Sequence, residues 1–177
     1  MESYSVTTCL NPFFPRNIPA HLLKTACERG TKTHSICLDV YAKGIPVLGI
    51  PPECAGYFES FRNWFDLYVK EVFFLEERMA DPVYCYNGKP DAGVKLADDR
   101  CVILDIKTPL AESPTWKMQG AGYLNLARIH YPEIPWGGFM SLRLRPNGSP
   151  AKATVYEDQD RDFAAFLSAL NVYRYIQ

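Results

Sequence analysis

The spacing of apolar residues changes at Lys70, and this change constrains the fold more than any other feature of the sequence. Before Lys70, apolar and aromatic side chains recur with the period of an α-helix. These side chains are Tyr57, Phe58, Phe61, Trp64, Phe65, Tyr68 and Val69. After Lys70, short runs of β-branched and aromatic residues alternate with turn-forming pairs, a pattern typical of antiparallel strands. The predicted strands cover residues 72–75, 83–86, 88–96 and 101–106, with turns at Asn87-Gly88 and Asp98-Asp99.

Helical patterns precede this β region. Asn17 is a predicted helix cap, Pro19 lies in the first predicted turn, and Gly30 is the predicted end of that helix. Its apolar face contains Leu22, Leu23, Ala26 and Cys27. A second helix is predicted from Thr31 towards Gly44, although its β-branched residues weaken the pattern. Residues 45–52 are rich in Pro and Gly and predict a loop.

After the β region, the pattern predicts a helix over residues 115–130, strands over 139–144 and 153–156, and a final helix. One face of the final helix carries Phe163, Phe166, Leu167, Leu170 and Tyr173. The order of elements predicts an α/β (α+β) fold in which helices flank a mixed central sheet. A chain of 177 residues, of which 47% are apolar, is expected to form one domain over residues 1–177.

Composition narrows the possible partners and the compartment. The formal net charge is −1, so a surface for a polyanion must come from local clustering of the 19 Lys and Arg residues. The six cysteines lack the spacing of a zinc or iron–sulfur site, and we expect reduced, mostly buried thiols. The sequence shows no secretory signal and no apolar run of roughly 18 residues, which predicts a cytoplasmic protein without a membrane partner.

Two carboxylates and a lysine stand out in the β region. If the strands on either side of the Asp98-Asp99 turn pair, Asp91 and Asp105 approach one another at the end of the sheet. Lys107 then projects from the same face as Asp105, because side chains alternate along a strand. Without further context, an ordinary exposed pair on a strand explains Asp105 and Lys107 better than a catalytic site does.

A divalent cation would explain the proximity of these two carboxylates. Adjacent carboxylates repel one another, and oxygen ligands suit Mg²⁺ or Mn²⁺. Such an ion would polarise a phosphate oxygen and lower the pKa of a bound water. Lys107 could orient that water or offset the negative charge of the transition state. These groups together match phosphodiester hydrolysis.

Four motifs in sequence order resemble the PD-(D/E)XK nuclease superfamily, specifically its RecB-like branch with a Q-x-x-x-Y motif. The motifs are Arg29-Gly30-Thr31-Lys32-Thr33-His34, Gly88-Lys89-Pro90-Asp91, Asp105-Ile106-Lys107-Thr108 and Gln119-Gly120-Ala121-Gly122-Tyr123. The resemblance extends from Arg29 to Tyr123. Four motifs in the expected order are far more specific than the D-x-K pattern alone.

The resemblance implies a restriction-endonuclease-like core and a set of site residues. His34, Asp91, Asp105 and the backbone carbonyl of Ile106 would ligate Mg²⁺ or Mn²⁺, and Lys107 would be the catalytic lysine. An imidazole ligand favours Mn²⁺ over Mg²⁺. The family often carries a further acidic residue before the paired strands. Glu76 is favoured over Glu77 for that role, with a solvated charged turn as an equal alternative.

The resemblance also suggests substrate contacts. Gln119 and Tyr123 are four residues apart and would share one face of a helix, where they could contact the nucleic acid. A polar helix surface is the alternative for this pair. Lys117 is a candidate phosphate contact, with a merely solvated lysine as its alternative. Trp116 and Tyr86 could stack on bases, but aromatic residues at these positions more often belong to the core.

The expected function is that of a DNA exonuclease acting on free ends or single strands. Some relatives in this branch hold an iron–sulfur cluster through late cysteines, but no cysteine follows Cys101, so no cluster is expected. The chain resembles stand-alone nucleases of phages and mobile elements, and a phage protein would act in the host cytoplasm. The alternative is a catalytically silent module that binds nucleic acid or protein on the same fold. The sequence leaves the oligomeric state open.

Overall fold

A computed structural model describes residues 3–13, 19–109 and 111–177 of the chain. Helices flank a mixed five-stranded sheet, and a second sheet of three strands contacts two of these helices. The predicted α+β class, with a mixed central sheet flanked by helices, is confirmed. Among the described residues, no helix is both long and apolar enough to cross a membrane.

The α-helices are α1 (Val6–Leu10), α2 (Ala20–His34), α3 (Pro52–Tyr68), α4 (Thr115–His130) and α5 (Gln159–Tyr175). A π-helical segment (Ser35–Val40) and a 3₁₀ turn (Tyr41–Lys43) continue α2, and a further 3₁₀ turn (Asn11–Phe13) follows α1. The strands are β1 (Tyr4–Ser5), β2 (Val69–Leu75), β3 (Met79–Asp81), β4 (Tyr86–Gly88), β5 (Ala92–Leu96), β6 (Cys101–Lys107), β7 (Trp136–Arg143) and β8 (Lys152–Tyr156).

The large sheet has the order β2-β5-β6-β7-β8. Only β6 and β7 are parallel, while the other neighbouring pairs are antiparallel. Parallel neighbours need a long crossover, and α4 supplies it between β6 and β7. The carboxyl ends of β6 and β7 therefore lie side by side at the same end of the sheet.

Each face of this sheet has its own apolar core. Val102, Leu104 and Ile106 of β6 pack on the side of α3. Cys101 and Ile103 pack on the opposite side, with side chains from α1, α4 and α5. Because side chains alternate along a strand, Asp105 and Lys107 project towards the side of α4. The large apolar area buried on both faces fixes the register of β6.

The prediction of a strand over residues 83–86 is wrong. The side chain of Asp81 accepts hydrogen bonds from the backbone N–H groups of Val83 (2.7 Å) and Tyr84 (2.8 Å) and folds this segment into a turn. The predicted Asn87-Gly88 turn is also wrong, because both residues lie in β4 and pair with β3. The strand predicted from residue 88 therefore begins only at Ala92.

The predicted end of a helix at Gly30 is wrong as well, because α2 continues through it to His34. A Cβ atom at Gly30 would meet the hydroxyl of Thr108 at an ordinary contact distance of 3.4 Å, so α2 lies against the segment after β6. Helix geometry then widens into the π-helical segment directly after His34. The predicted cap Asn17 lies outside the described residues, and Pro19 directly precedes the helix.

Candidate active site

The site is built at the carboxyl end of β6, where a strand with an apolar core ends in two charged residues. Asp105 is only 3% exposed, and Lys107 follows it on the same side of the strand. The Lys107 ammonium contacts Asp105 Oδ2, which has no hydrogen-bond donor of normal geometry. A buried carboxylate oxygen in this state is costly unless a cation offsets its charge.

Asp91 joins the site through the pairing of β5 with β6. The pairing ends at Ala92 and Leu104, and Asp91 directly precedes Ala92, the first residue of β5. Its Oδ2 accepts a hydrogen bond of 2.7 Å from the backbone N–H of Ile106. The N–H and C=O of one strand residue project to the same side, so the carbonyl of Ile106 faces Asp91 too. The strand pairing predicted from the sequence thus brings both carboxylates to this end of the sheet.

His34 reaches the same carboxylates from the end of α2. Its Nδ1 lies 3.4 Å from Asp91 Oδ2, and its side chain is 27% exposed. His34 is the last residue of α2, and the π-helical segment begins directly after it. Such π-helical insertions are frequent at functional sites.

The three ionisable groups perturb one another strongly. Burial by itself would lower the pKa of His34, but the adjacent Asp91 carboxylate outweighs it and raises this pKa to about 9. Burial would raise the pKa of Asp91, yet His34, Lys107 and the Ile106 N–H hold it below its usual value. Burial, aided by the charge of Asp91 and opposed by Lys107, raises the pKa of Asp105 to about 6. Clusters of such perturbed groups are typical of functional sites.

Gln119 and Tyr123 extend the site along α4. Lys107 Nζ donates a hydrogen bond of 2.7 Å to Gln119 Oε1, and Gln119 Nε2 donates one of 3.3 Å to the hydroxyl of Tyr123. Tyr123 is buried, so its hydroxyl supports Gln119 from within the core. The Lys107 ammonium also lies 5.4 Å from the centre of the Trp116 ring. These contacts hold the ammonium beside Asp105.

Glu76 lies at the margin of the site. Its backbone N–H donates to the carbonyl of Asp91 (2.8 Å), and its φ of 46° lies in the left-handed region that non-glycine residues rarely adopt. Its carboxylate forms an ion pair of 3.1 Å with Lys89. Glu76 and His34 line one open cavity of about 500 Å³. The structure therefore brings Glu76 towards the site, and its catalytic role stays a prediction.

Lys117 lies apart from this arrangement. It is exposed and lines a groove between the segment before α4, strand β8 and the start of α5. The carboxylates that line the same groove are Glu112, Glu157, Asp158 and Asp162. Gln119 contacts Lys107, whereas Lys117 lies in the groove with these carboxylates. A contact of Lys117 with substrate stays a prediction.

The donor atoms of the site suit a hard divalent cation. Asp91, Asp105 and the Ile106 carbonyl provide oxygen, and His34 provides nitrogen. Among the described residues, however, no three His, Cys, Asp or Glu side chains are grouped as a ready metal site. Lys107 contacts Asp105 Oδ2, and the Ile106 N–H donates to Asp91 Oδ2. A bound divalent cation therefore stays a prediction.

Sequence reasoning did not identify Arg143 or the role of Trp116. Arg143 is the register partner of Lys107 in the parallel pair β6–β7. No local signal in the sequence indicates which residues pair in a parallel sheet, because an entire helix separates the strands. Trp116 was expected in the core, where it lies, but its ring also contacts the Lys107 ammonium. Its position three residues before Gln119 on α4 is the signal that could have indicated this.

Comparisons with known proteins do not assign the chain to a family. No protein-family model matches the sequence. No curated protein shows significant sequence similarity to it.

Proposed function

We propose that this chain is a divalent-metal-dependent deoxyribonuclease of the PD-(D/E)XK superfamily, acting as an exonuclease on DNA ends or single strands. The observation that carries the proposal is the convergence of Asp91, Asp105 and Lys107, supported by His34, at one end of the central sheet. These four residues lie up to 73 positions apart in the sequence, from His34 to Lys107, yet they form a single cluster.

 His34 and Asp91 are 57 positions apart, and His34 Nδ1 lies 3.4 Å from Asp91 Oδ2.

The chain's own groups have distinct tasks in this proposal. Asp91, Asp105, the Ile106 carbonyl and His34 would hold Mg²⁺ or Mn²⁺. When bound, such an ion supplies Lewis-acid polarisation of the scissile phosphate and lowers the pKa of water. Lys107 would face the phosphate and offset the charge that develops on its oxygens.

The contacts of Lys107 support this role. Gln119 and the Trp116 ring restrict the ammonium from two sides, so it is already oriented before substrate binds. Orientation before the reaction lowers the barrier because little reorganisation is left for the transition state. Asp105 competes for the same ammonium and would release it towards the phosphate when a divalent cation offsets its charge.

A second candidate function is a module that binds nucleic acid or protein without cutting. The pairing of His34 with Asp91 and of Lys107 with Asp105 favours it, because these groups offset one another's charge within the chain. Against it, Asp105 is only 3% exposed and its negative charge lies beside that of Asp91, and a purely structural site has no physical reason to keep two buried carboxylates that repel one another.

We propose a cytoplasmic location for this activity, in the host cell if the chain derives from a phage. The state of the thiols supports this proposal, since all six cysteines are free. Reduced thiols are typical of reducing compartments.

The test is digestion of end-labelled linear single-stranded and double-stranded DNA, beside a closed circle, with Mg²⁺ or Mn²⁺. Loss of linear DNA alone, abolished by chelator and by Lys107→Ala, is the expected result. Lys95→Ala is the matched control, because Lys95 lies on the neighbouring strand at the far end of its pairing with β6. Cutting of the circle would make the chain an endonuclease. A folded, metal-bound protein that cuts none of these substrates would favour the binding module.

A further inference from the structure

Three cationic side chains form a row across the sheet beside the candidate site. Lys107 of β6 is the register partner of Arg143 in β7, and Arg143 is the register partner of Lys152 in β8. Residues directly opposite one another in neighbouring strands project to the same face. The row therefore begins at the catalytic lysine of the proposed nuclease and ends on the edge strand β8.

A second row, formed by Asp105, Ser141 and Thr154, shows that these cations lie on the same face of the sheet as the site. Asp105 pairs with Ser141, and Ser141 pairs with Thr154. Ser141 is buried on the α4 side, where its hydroxyl lies 3.1 Å from the hydroxyl of Tyr156. Each member of the cationic row lies two residues from a member of this polar row, so both rows project to the α4 side.

Lys152 is unusual among the lysines of this chain. In the part of the chain that the structure describes, every lysine except Lys117 and Lys152 contacts a carboxylate within 4.0 Å. Lys152 is also exposed, whereas Arg143 is partly buried and interacts with other groups of the chain. The outer end of the row thus offers a cation to a ligand in solvent.

The adjoining groove does not offer the same attraction. The groove that contains Lys117 and Arg161 is also lined by four carboxylates, namely Glu112, Glu157, Asp158 and Asp162. These carboxylates outnumber the two cations and would repel a phosphate backbone. A polyanion leaving the site is therefore directed over the carboxyl end of β7 and the start of β8, and away from α5.

We infer that this row is a binding track for the sugar–phosphate backbone of a single nucleic-acid strand, which runs from the proposed cleavage site over Arg143 to Lys152. The inference rests on the proposed function and adds the path of its substrate. Neighbouring strands lie about 4.8 Å apart, so the row spans roughly 10 Å.

The track is tested by fluorescence anisotropy of a short labelled oligodeoxythymidine, titrated with the full chain in EDTA at increasing KCl concentrations. Lys152→Gln should weaken binding about three- to tenfold and reduce the slope of log K against log salt by about 0.7, the value for one phosphate contact on a single strand. Lys70→Gln is the matched control, because Lys70 is an exposed lysine on β2, the opposite edge strand. Its affinity and slope should equal those of the wild type.

Arg143 is tested by two variants, because its partial burial makes removal of the side chain a risk to folding. Arg143→Gln should weaken binding and lower the salt slope, and Arg143→Lys should restore the slope since it keeps the charge. Circular dichroism of each variant shows whether it has folded. If Arg143→Gln does not fold, the Lys152→Gln result alone decides the inference.

The outcomes separate the track from the proposed nuclease activity. Binding by the wild type with unchanged affinity and slope in Lys152→Gln would overturn the track, even if the wild type cuts DNA. Absence of binding by the wild type would also overturn it. Charge-dependent binding through Lys152 by a chain that cuts no DNA would support the track and contradict the nuclease.

Discussion

Gln119 Oε1 accepts a hydrogen bond of 2.7 Å from the Lys107 ammonium, so the amide of α4 holds the proposed catalytic lysine of β6. The resemblance predicted that Gln119 contacts substrate. That contact stays a prediction, and the hydrogen bond supports a different role, in which Gln119 positions Lys107. These two roles predict different kinetics.

We expect Gln119→Ala to lower kcat about 10- to 100-fold with little change in KM. A hydrogen bond to a charged group contributes about 1.5–3 kcal/mol, and its loss leaves the ammonium free to turn away from the phosphate. Gln119→Glu should recover part of kcat, because a carboxylate also accepts from Lys107. Steady-state cleavage of a labelled oligonucleotide measures both constants.

Asn125→Ala is the control on the same helix. Asn125 donates to Asp81 and to Tyr86, both remote from Lys107, so this variant should lose stability and keep kcat. A raised KM with unchanged kcat in Gln119→Ala would contradict the positioning role and return Gln119 to a direct substrate contact.

Removal of the buried charge at Asp105 should stabilise the metal-free protein at neutral and higher pH. Burial raises the pKa of Asp105 from 3.8 to about 6, so the folded state binds this proton more tightly than the unfolded chain does. The stabilisation from this proton is complete below the pKa of Asp105 in the unfolded chain. It is lost as the pH rises through the pKa of Asp105 in the folded protein. The free energy of unfolding of Asp105→Asn should therefore exceed that of the wild type by about 1–3 kcal/mol near pH 8, and the difference should shrink towards pH 4.

Urea unfolding in EDTA at several pH values measures this effect, with Asp81→Asn as the control. Asp81 is equally buried, but both of its oxygens accept hydrogen bonds, from Val83, Tyr84 and Asn125. In Asp81→Asn the side-chain amide nitrogen would face one of these donors, so the free energy of unfolding should fall by about 1–3 kcal/mol. An Asp105→Asn variant that is less stable than the wild type near pH 8 would show that the contact with Lys107 outweighs the cost of burial.

Divalent cations should stabilise the wild type against thermal unfolding through the same carboxylate. A ligand that binds only the folded state at about 100 times its Kd adds about 2.7 kcal/mol. Mn²⁺ should therefore raise the Tm of the wild type and not that of Asp105→Asn. His34→Gln should weaken the Mn²⁺ shift more than the Mg²⁺ shift, because imidazole nitrogen favours Mn²⁺.

Asp39→Asn is the matched control for this measurement. Asp39 lines the same cavity as His34 but is not among the predicted ligands. Mn²⁺ should raise the Tm of Asp39→Asn by as much as it raises the Tm of the wild type. A shift that disappears in Asp39→Asn and persists in Asp105→Asn would place the cation in the cavity and away from the two buried carboxylates.

The elements that the sequence predicted well are those whose own residues determine them. The helix predicted over residues 115–130 is α4, and the helical period before Lys70 is α3. Both are long enough for one apolar face to be recognised. Strand β6 was predicted over residues 101–106 from its own apolar run, and it is observed over Cys101–Lys107.

The features that could not be predicted depend on contacts between distant segments. Helix α2 continues through Gly30 to His34 and packs against α3, which lies further along the chain. The register of Lys107 with Arg143 follows from a parallel pairing across α4. The motifs predicted that Gln119 belongs to the site, but its bond to Lys107 depends on how closely α4 packs against the sheet.

Gly120 sets that packing distance, and Gly120→Ala should destabilise the protein. In an exposed helix interior this change would stabilise by about 1 kcal/mol. Here the added Cβ would lie 2.0 Å from Cδ1 of the buried Phe139 ring, and overpacking of this kind costs about 1–3 kcal/mol. Thermal unfolding should therefore show a lower Tm. Gly137→Ala is the control, because its Cβ would lie 3.5 Å from the carbonyl of Cys101, an ordinary contact.

The same change should also affect the site. If α4 moves outwards to relieve the clash with Phe139, Gln119 moves away from Lys107, and kcat should fall by a factor similar to that of Gln119→Ala. The loss of stability alone would leave the kcat of the folded fraction unchanged. A raised Tm in Gly120→Ala would mean that the Phe139 ring can move aside, and α4 would then not owe its distance from the sheet to this glycine.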